Sequence, residues 1–175
     1  SAVATPRALT RLGAVGNTAT LLCEIAKGST IATVGPLDLG DPLPTVIEGA
    51  GGGVLRGEIN AVPDAAAADV LLVLAEGRSG TGLFVVEASS PGIVVSPERS
   101  IDRTRKRSRV TLDDAPAQRL ATPSRQSLQA FIDDVLVACA ADALGAAQAV
   151  MDLAVEHAKV RRQFDKPIGA FQAVQ

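Results

Sequence analysis

The chain has no tryptophan and no tyrosine, one histidine, one methionine and two cysteines among its 175 residues. Each shortage excludes something. A single histidine, with two cysteines outside any ligand spacing, leaves a zinc site of the usual kind without donors, so no metal is expected. Cys23 and Cys139 fall in separate predicted helices and read as buried free thiols of a cytoplasmic, reducing environment. No apolar run approaches the roughly 18 residues that a membrane span needs. The stretch from Ser1 to Leu12 carries proline and arginine where a secretory leader would be apolar. Neither sign of charge dominates: 17 Lys and Arg against 19 Asp and Glu give a net charge of −2, which argues against a nucleic-acid surface over the whole chain.

What is present is apolar enough to fold. Hydrophobic residues make up 47% of the chain and charged residues 21%, so a packed core is expected and wholesale disorder is not. Ser1 to Gly16 is weakly patterned. Asn17 is a candidate N-cap for a short helix through Leu21, Leu22 and Ile25 to a stop at Gly28. The period then changes. Strands are expected at Thr30–Val34, Val54–Asn60, Val70–Leu74, Leu83–Val86, Ile93–Val95 and Arg109–Leu112, with Val46-Ile47 as a further short one in a loop-rich stretch. Short strands separated by turn signals point to a small antiparallel sheet or barrel. After Pro123 the pattern switches again. Ser124 is a good N-cap, and Leu128, Phe131, Ile132, Val135, Cys139, Ala143, Ala146, Val150 and Leu153 recur at helical steps. A helix of about 38 residues, roughly 57 Å long, is expected there, and one of that length belongs to a bundle.

The glycine-rich places are weak as motifs. Gly49-Ala50-Gly51-Gly52-Gly53 lacks dinucleotide-loop spacing and reads as a flexible loop. Gly77 to Gly82 reads as a hairpin turn, and Lys27-Gly28-Ser29-Thr30 lacks the upstream glycine of a phosphate loop. Arg99, Arg103, Arg105, Lys106, Arg107 and Arg109 form a basic cluster that can meet phosphates or a neighbouring acidic surface. It can equally be a charged strand edge that resists aggregation.

The concentrated chemistry lies at residues 157–175, HAKVRRQFDKPIGAFQAVQ. Two of the four phenylalanines sit there beside cationic and amide side chains. Arginine brings charge and a planar fork, phenylalanine a stacking face, glutamine a directional donor and acceptor. Together they suit a flat aromatic ligand carrying phosphates. The stretch resembles the signature of the acyl-CoA dehydrogenase family: an aromatic, Ala, two variable positions, Arg-x-Gln-Phe-Gly-x-Pro-Ile and then Phe-Gln-x-Val-Gln. Here His157 replaces the aromatic and Asp165 the glycine. Further matches are Ala68-Asp69-Val70-Leu71-Leu72-Val73 with Leu83-Phe84-Val85-Val86, and Asp102, Thr104, Arg105 followed by Val110-Thr111-Leu112-Asp113-Asp114.

The resemblance implies an α+β fold, with an antiparallel β-barrel middle domain followed by the long helix of a C-terminal four-helix bundle. Residues 1–28 would end an N-terminal helical domain, 29–121 would form the barrel and 122–175 would open the bundle, as in a piece of a longer chain. It also implies FAD as cofactor and an acyl-CoA thioester as substrate, dehydrogenated by α-proton abstraction and hydride transfer to flavin. The family's base usually lies further along the bundle, so none is named here. By resemblance Arg161 would neutralise the FAD pyrophosphate, Phe164 would pack on the adenine, and Gln163 and Gln172 would hydrogen-bond to the cofactor of a neighbouring subunit. Asp133 would be retained from the substrate site, whereas the family's CoA-binding arginine aligns with Leu136. The barrel side is depleted: Gly40 stands for a serine, and Ala61-Val62-Pro63 for Trp-Ile-Thr. That asymmetry suits a subunit of a mixed tetramer, or a non-catalytic partner completing a neighbour's site. A divergent homotetramer, or a flavin monooxygenase on the same fold, is the alternative. An electron-transfer flavoprotein is the electron acceptor that the resemblance suggests.

Overall fold

In the computed structural model the elements follow the order α1 (Ala4–Arg11), α2 (Thr18–Lys27), β1 (Ala32–Gly35), β2 (Thr45–Gly49), β3 (Gly52–Pro63), β4 (Val70–Gly77), β5 (Gly80–Glu87), β6 (Ile93–Pro97), β7 (Arg107–Ala121), α3 (Arg125–Val160), β8 (Arg162–Gln163) and β9 (Lys166–Pro167). It describes residues 2–16, 18–38, 40, 42–49 and 52–174; the proposed cap at Asn17 lies outside them. The chain divides into two units, residues 1–135 and 136–175.

In the first unit the strand pairings close on themselves, β4 to β2 to β3 to β7 to β5 and back to β4, with β1 and β6 added outside this ring. Pairing is mixed where the sequence reading expected antiparallel strands throughout. β1 runs parallel to β4 over Ala32–Gly35 and Val70–Val73, and β2 meets the same edge of β4 in parallel at Thr45 and Glu76. A parallel pair needs a long crossover between its strands. The chain supplies one, since β2 and β3 intervene between β1 and β4.

β4 shows why its sequence is an unbroken apolar run. Leu71, Val73 and Ala75 enter an inner core with Leu55, Phe84 and Val110, while Leu72 and Leu74 enter an outer core with Leu9, Leu83 and Phe131. Both faces are covered, so alternation disappears. The outer core is roofed by α1 and by the first turns of α3. Ser124 caps α3 as expected, its Oγ accepting from the Ser127 N–H at 3.1 Å. Phe131 is fully buried, which stabilises the helix start by about 1.5–3 kcal/mol. Arg11 Nε donates to Asp134 at 2.8 Å, tying α1 to α3.

Several expectations are corrected. Ser1 to Gly16 holds α1, whose Ala4, Ala8, Leu9 and Leu12 are buried and whose Thr5 hydroxyl donates to the Ala32 carbonyl at 3.0 Å. Pro6 hides this helix in the sequence but sits in its first turn, where a missing N–H is harmless. Of the Gly49–Gly53 stretch, expected as a flexible loop, Ala50 and Gly51 lie outside the described residues; on either side of them Gly49 pairs with Gly52 and Glu48 with Gly53. The cysteines are both exposed: Cys23 lies on the face of α2 opposite the half-buried Leu21, Leu22 and Ile25, and Cys139 lies in the part of α3 that is exposed on nearly every face. β7 runs well past Leu112, through two bulges opposite β3. At one of them Asp113 and Asp114 face Arg56 alone, and Arg56 clamps Asp114 with bonds of 2.6 and 2.7 Å.

Candidate functional site: a cationic aromatic corner

The second unit ends in a tight corner. α3 stops at Val160, and Arg161 is then fixed from both sides: its N–H donates to the His157 carbonyl at 2.9 Å, and its own carbonyl accepts from Ile168 N–H at 2.8 Å. With its backbone held, the Arg161 side chain remains exposed, and no carboxylate among the described residues pairs with it. β8 and β9 form a two-residue hairpin, Gln163 opposite Lys166 and Arg162 opposite Pro167. Pro167 therefore sits beside, and not within, the bond that joins Arg161 to Ile168, so its missing N–H removes no ladder bond.

The hairpin turn is Phe164-Asp165, with φ of 51° and 63°. Two successive positive values are the signature of a type I′ turn, which prefers Asn-Gly or Gly-Gly. Here a bulky ring takes the first place and aspartate the second. The result is that Phe164 is thrown outward, 86% exposed. It stands edge-on to Phe171, ring centres 6.2 Å apart and planes at 81°, and Lys166 Nζ lies 4.2 Å from the Phe171 ring centre. Gln163 and Gln172 are exposed on the same short segment. The corner packs closely on the helix end: a Cβ at Gly169 would lie 3.1 Å from the Ala158 carbonyl oxygen. Four of the sequence-predicted residues, Arg161, Gln163, Phe164 and Gln172, are thus presented together and outward. Arg162 and Lys166, on the same segment, meet the turn and the Phe171 ring: Arg162 Nη2 donates to the Asp165 carbonyl, and Lys166 lies over the ring.

In the first unit β1 lies beside the end of β3, where Ala61-Val62-Pro63 stands for the Trp-Ile-Thr of the resemblance. Thr33 Oγ1 donates to the Pro63 carbonyl at 2.6 Å, and a Cβ on Gly35 would come within 3.1 Å of Ile59 and 3.2 Å of Val62. Beside them a cleft of about 440 Å³ is lined by apolar residues, among them Pro36, Pro44 and Ile59, and by the polar Thr45, Arg56, Glu58 and Asn60. The neighbouring stretch Ala61-Val62-Pro63 carries no polar side chain. Ala61 takes φ 54° in a bulge, and its N–H is already given to Glu98 at 3.1 Å. Pro63 has neither hydroxyl nor N–H. The corner therefore fits a phosphate-bearing, aromatic cofactor such as FAD, while Ala61-Val62-Pro63 on the barrel side offers backbone but no polar side chain.

Asp133 lies on α3 within the first unit, exposed, its carboxylate accepting from the Gln129 amide at 2.9 Å. Leu136, at the aligned arginine position, is 60% exposed. In the basic segment Arg109 lies near Glu98 and Glu58, at 3.8 and 4.0 Å, and Arg105 lies 3.4 Å from Asp102. Arg99, Arg103, Lys106 and Arg107 are exposed. The hydroxyl and N–H of Thr104 hold the Asp102 carboxyl below its usual range. Hydrogen bonding from Arg56 does the same for Asp114, and from Arg11 for Asp134. No helix among the described residues is long and apolar enough to cross a membrane.

Known proteins agree with these features. The family model described as acyl-CoA dehydrogenase, C-terminal domain, matches residues 129–175. Acyl-CoA dehydrogenase FadE34 of Mycobacterium tuberculosis is 35% identical over 158 residues, covering 89% of this chain and 20% of that protein. A variant of the Tcur3481-Tcur3483 steroid ACAD superposes with a TM-score of 0.83 at 31% identity, covering 98% of this chain and 47% of that one. The ChsE4-ChsE5 complex from Mycobacterium tuberculosis gives a TM-score of 0.86 at 27% identity, again over 98% of this chain and 47% of that one. The chain thus spans about half the length of those solved chains and a fifth of FadE34. The matched helix and corner, the β-barrel-like sheet before them and these likenesses converge on one conclusion: this chain belongs to the acyl-CoA dehydrogenase family.

Proposed function

We propose that the chain serves an FAD-dependent acyl-CoA dehydrogenase, and that its corner closes the FAD site of a neighbouring subunit. The observation that carries this is the pinned backbone and exposed side chain of Arg161 beside the outward ring of Phe164. A cation with no carboxylate partner among the described residues is available to a pyrophosphate, and a bidentate guanidinium suits that geometry. Phe164 offers a free face to an adenine, and Gln163 and Gln172 supply amide donors and acceptors around it. FAD, when bound, supplies the hydride acceptor for α,β-dehydrogenation of an acyl-CoA thioester. On the barrel, the backbone at Val34 and Val62 would border the flavin end. Asp133 would lie toward the substrate. The likeness to a steroid ACAD makes steroid acyl thioesters a class to test beside fatty acyl ones.

A second reading has an observation of its own. Ala61 and Pro63 give the chain neither a ring nor a hydroxyl at its own flavin wall, and Glu98 occupies the Ala61 N–H. The chain would then complete a partner's site within a mixed tetramer, a reading supported by the heteromeric ChsE4-ChsE5 relative. An electron-transfer flavoprotein would accept the electrons in either case. Flavin absorbance of the full-length protein, purified alone and with a co-expressed related subunit, tests both. FAD only with the partner supports the mixed assembly; one tightly bound FAD per chain without a partner supports the homomer. No flavin in either preparation overturns the proposal.

A further inference from the structure

We propose that Arg162 is the positioning residue of the corner: its guanidinium fastens the Asp165 carbonyl, and so keeps the turn that carries Phe164 outward. This rests on the cofactor reading above and assigns a role to a side chain that the resemblance leaves variable.

The argument starts from the backbone. Phe164 and Asp165 both hold positive φ without a glycine between them. Aspartate tolerates that region through its short polar side chain, but a bulky ring there is an outlier that the surroundings must enforce. The paired strands contribute little enforcement, because β8 and β9 are two residues each. Arg162 Nη2 supplies what the ladder does not. It reaches over the turn and donates to the Asp165 carbonyl, three residues ahead. No carboxylate among the described residues competes for this guanidinium. Its neighbour Arg161 differs in kind: its backbone is tied on both sides, and its side chain makes no such turn contact among the described residues. The two adjacent arginines therefore divide the work, one directed at the ligand and one at the fold of the corner. On the other side of the turn, the stack of Lys166 on Phe171 and Phe171 against Phe164 limits where the ring can swing.

The rival explanation is that Arg162 is simply a second cation for the pyrophosphate. Second-site rescue separates the two. A type I′ turn prefers glycine at its second central place, so Asp165→Gly favours the whole turn, Phe164 included, and lessens its need for the guanidinium. In the assembled full-length enzyme, Arg162→Ala is expected to weaken FAD binding about tenfold, and Arg162→Ala with Asp165→Gly to recover to within about threefold of Asp165→Gly alone. Hydrogen exchange on the cofactor-free enzyme gives a readout independent of FAD. Arg162→Ala should speed exchange of the amides at residues 163–168 and leave the barrel strands unchanged, and the double variant should restore protection. Unchanged protection in Arg162→Ala overturns the proposal. So does an FAD loss that persists in the double variant after protection has returned. A wild-type assembly that binds no FAD would instead overturn the function proposed above, and the exchange comparison would still decide whether Arg162 holds the turn.

Discussion

The four phenylalanines offer a direct separation of fold from function, best seen by replacing Phe131 and Phe164 in turn. Phe131 is 0% exposed and packs in the outer core with Leu9, Leu72, Leu74 and Leu83. Truncation to alanine removes the ring and leaves a cavity under the first turns of α3, a loss of about 3–5 kcal/mol. Phe164 is 86% exposed and meets Phe171 in a T-shaped ring pair. Its truncation should change stability by no more than about 0.5 kcal/mol. Alanine gains nothing from the change in backbone terms, because it is as strained at positive φ as phenylalanine is. The cost of Phe164→Ala should appear in the cofactor. An aromatic face stacked on a base is worth about 1–3 kcal/mol, or roughly 5- to 150-fold in Kd. Denaturant unfolding and FAD titration on the same assembled preparations give both numbers. The reasoning is refuted if Phe164→Ala destabilises the protein as much as Phe131→Ala does, or if it binds FAD as tightly as the wild type.

Other expectations follow from particular contacts. Gly92 holds φ 81°, and a Cβ there would run into the Asp113 carbonyl, so Gly92→Ala should destabilise by more than about 1 kcal/mol in chemical unfolding and open the β6–β7 pairing to exchange. Ser124→Ala removes the cap of α3 and should cost about 1 kcal/mol in the same assay. Asp134 has its folded pKa lowered, first by the hydrogen bond from Arg11, with the charges of Arg11 and Arg7 adding to it against the effect of burial. A depressed folded pKa means stability that is present above the unfolded value and lost as pH falls through the folded one. The stability difference between wild type and Asp134→Asn should therefore be constant near neutrality and shrink below about pH 4, as read from urea melts across that range.

How far residues alone reach can be seen element by element. α3 was legible because its apolar period, its Ser124 cap and the absence of proline all agree. The corner was legible because rare residue types crowd into a few positions. What could not be read were features decided by tertiary partners. α1 is concealed by Pro6, and only the buried Ala4, Ala8 and Leu9 reveal its inner face. β7 continues past Leu112 through a bulge of its own at Asp113 and Asp114, after which Pro116 pairs in register with Val54 of β3. The parallel edge of β4 depends on which strand returns to it, and periodicity carries no information about that. The exposure of Cys23 reflects the orientation of α2, and that of Cys139 the exposure of α3 over residues 139–157. At the site, the identity of the side chains was visible, but the positive φ of Phe164 and the reach of Arg162 over the turn were not.

The claim at the centre is that Arg161 holds the phosphates of a dinucleotide across a subunit boundary. Equilibrium dialysis of FAD against the assembled enzyme, wild type and Arg161→Ala, measures it most directly. A charge-assisted contact of this kind predicts at least about a tenfold rise in Kd with unfolding stability unchanged; an identical Kd in the two proteins would contradict it.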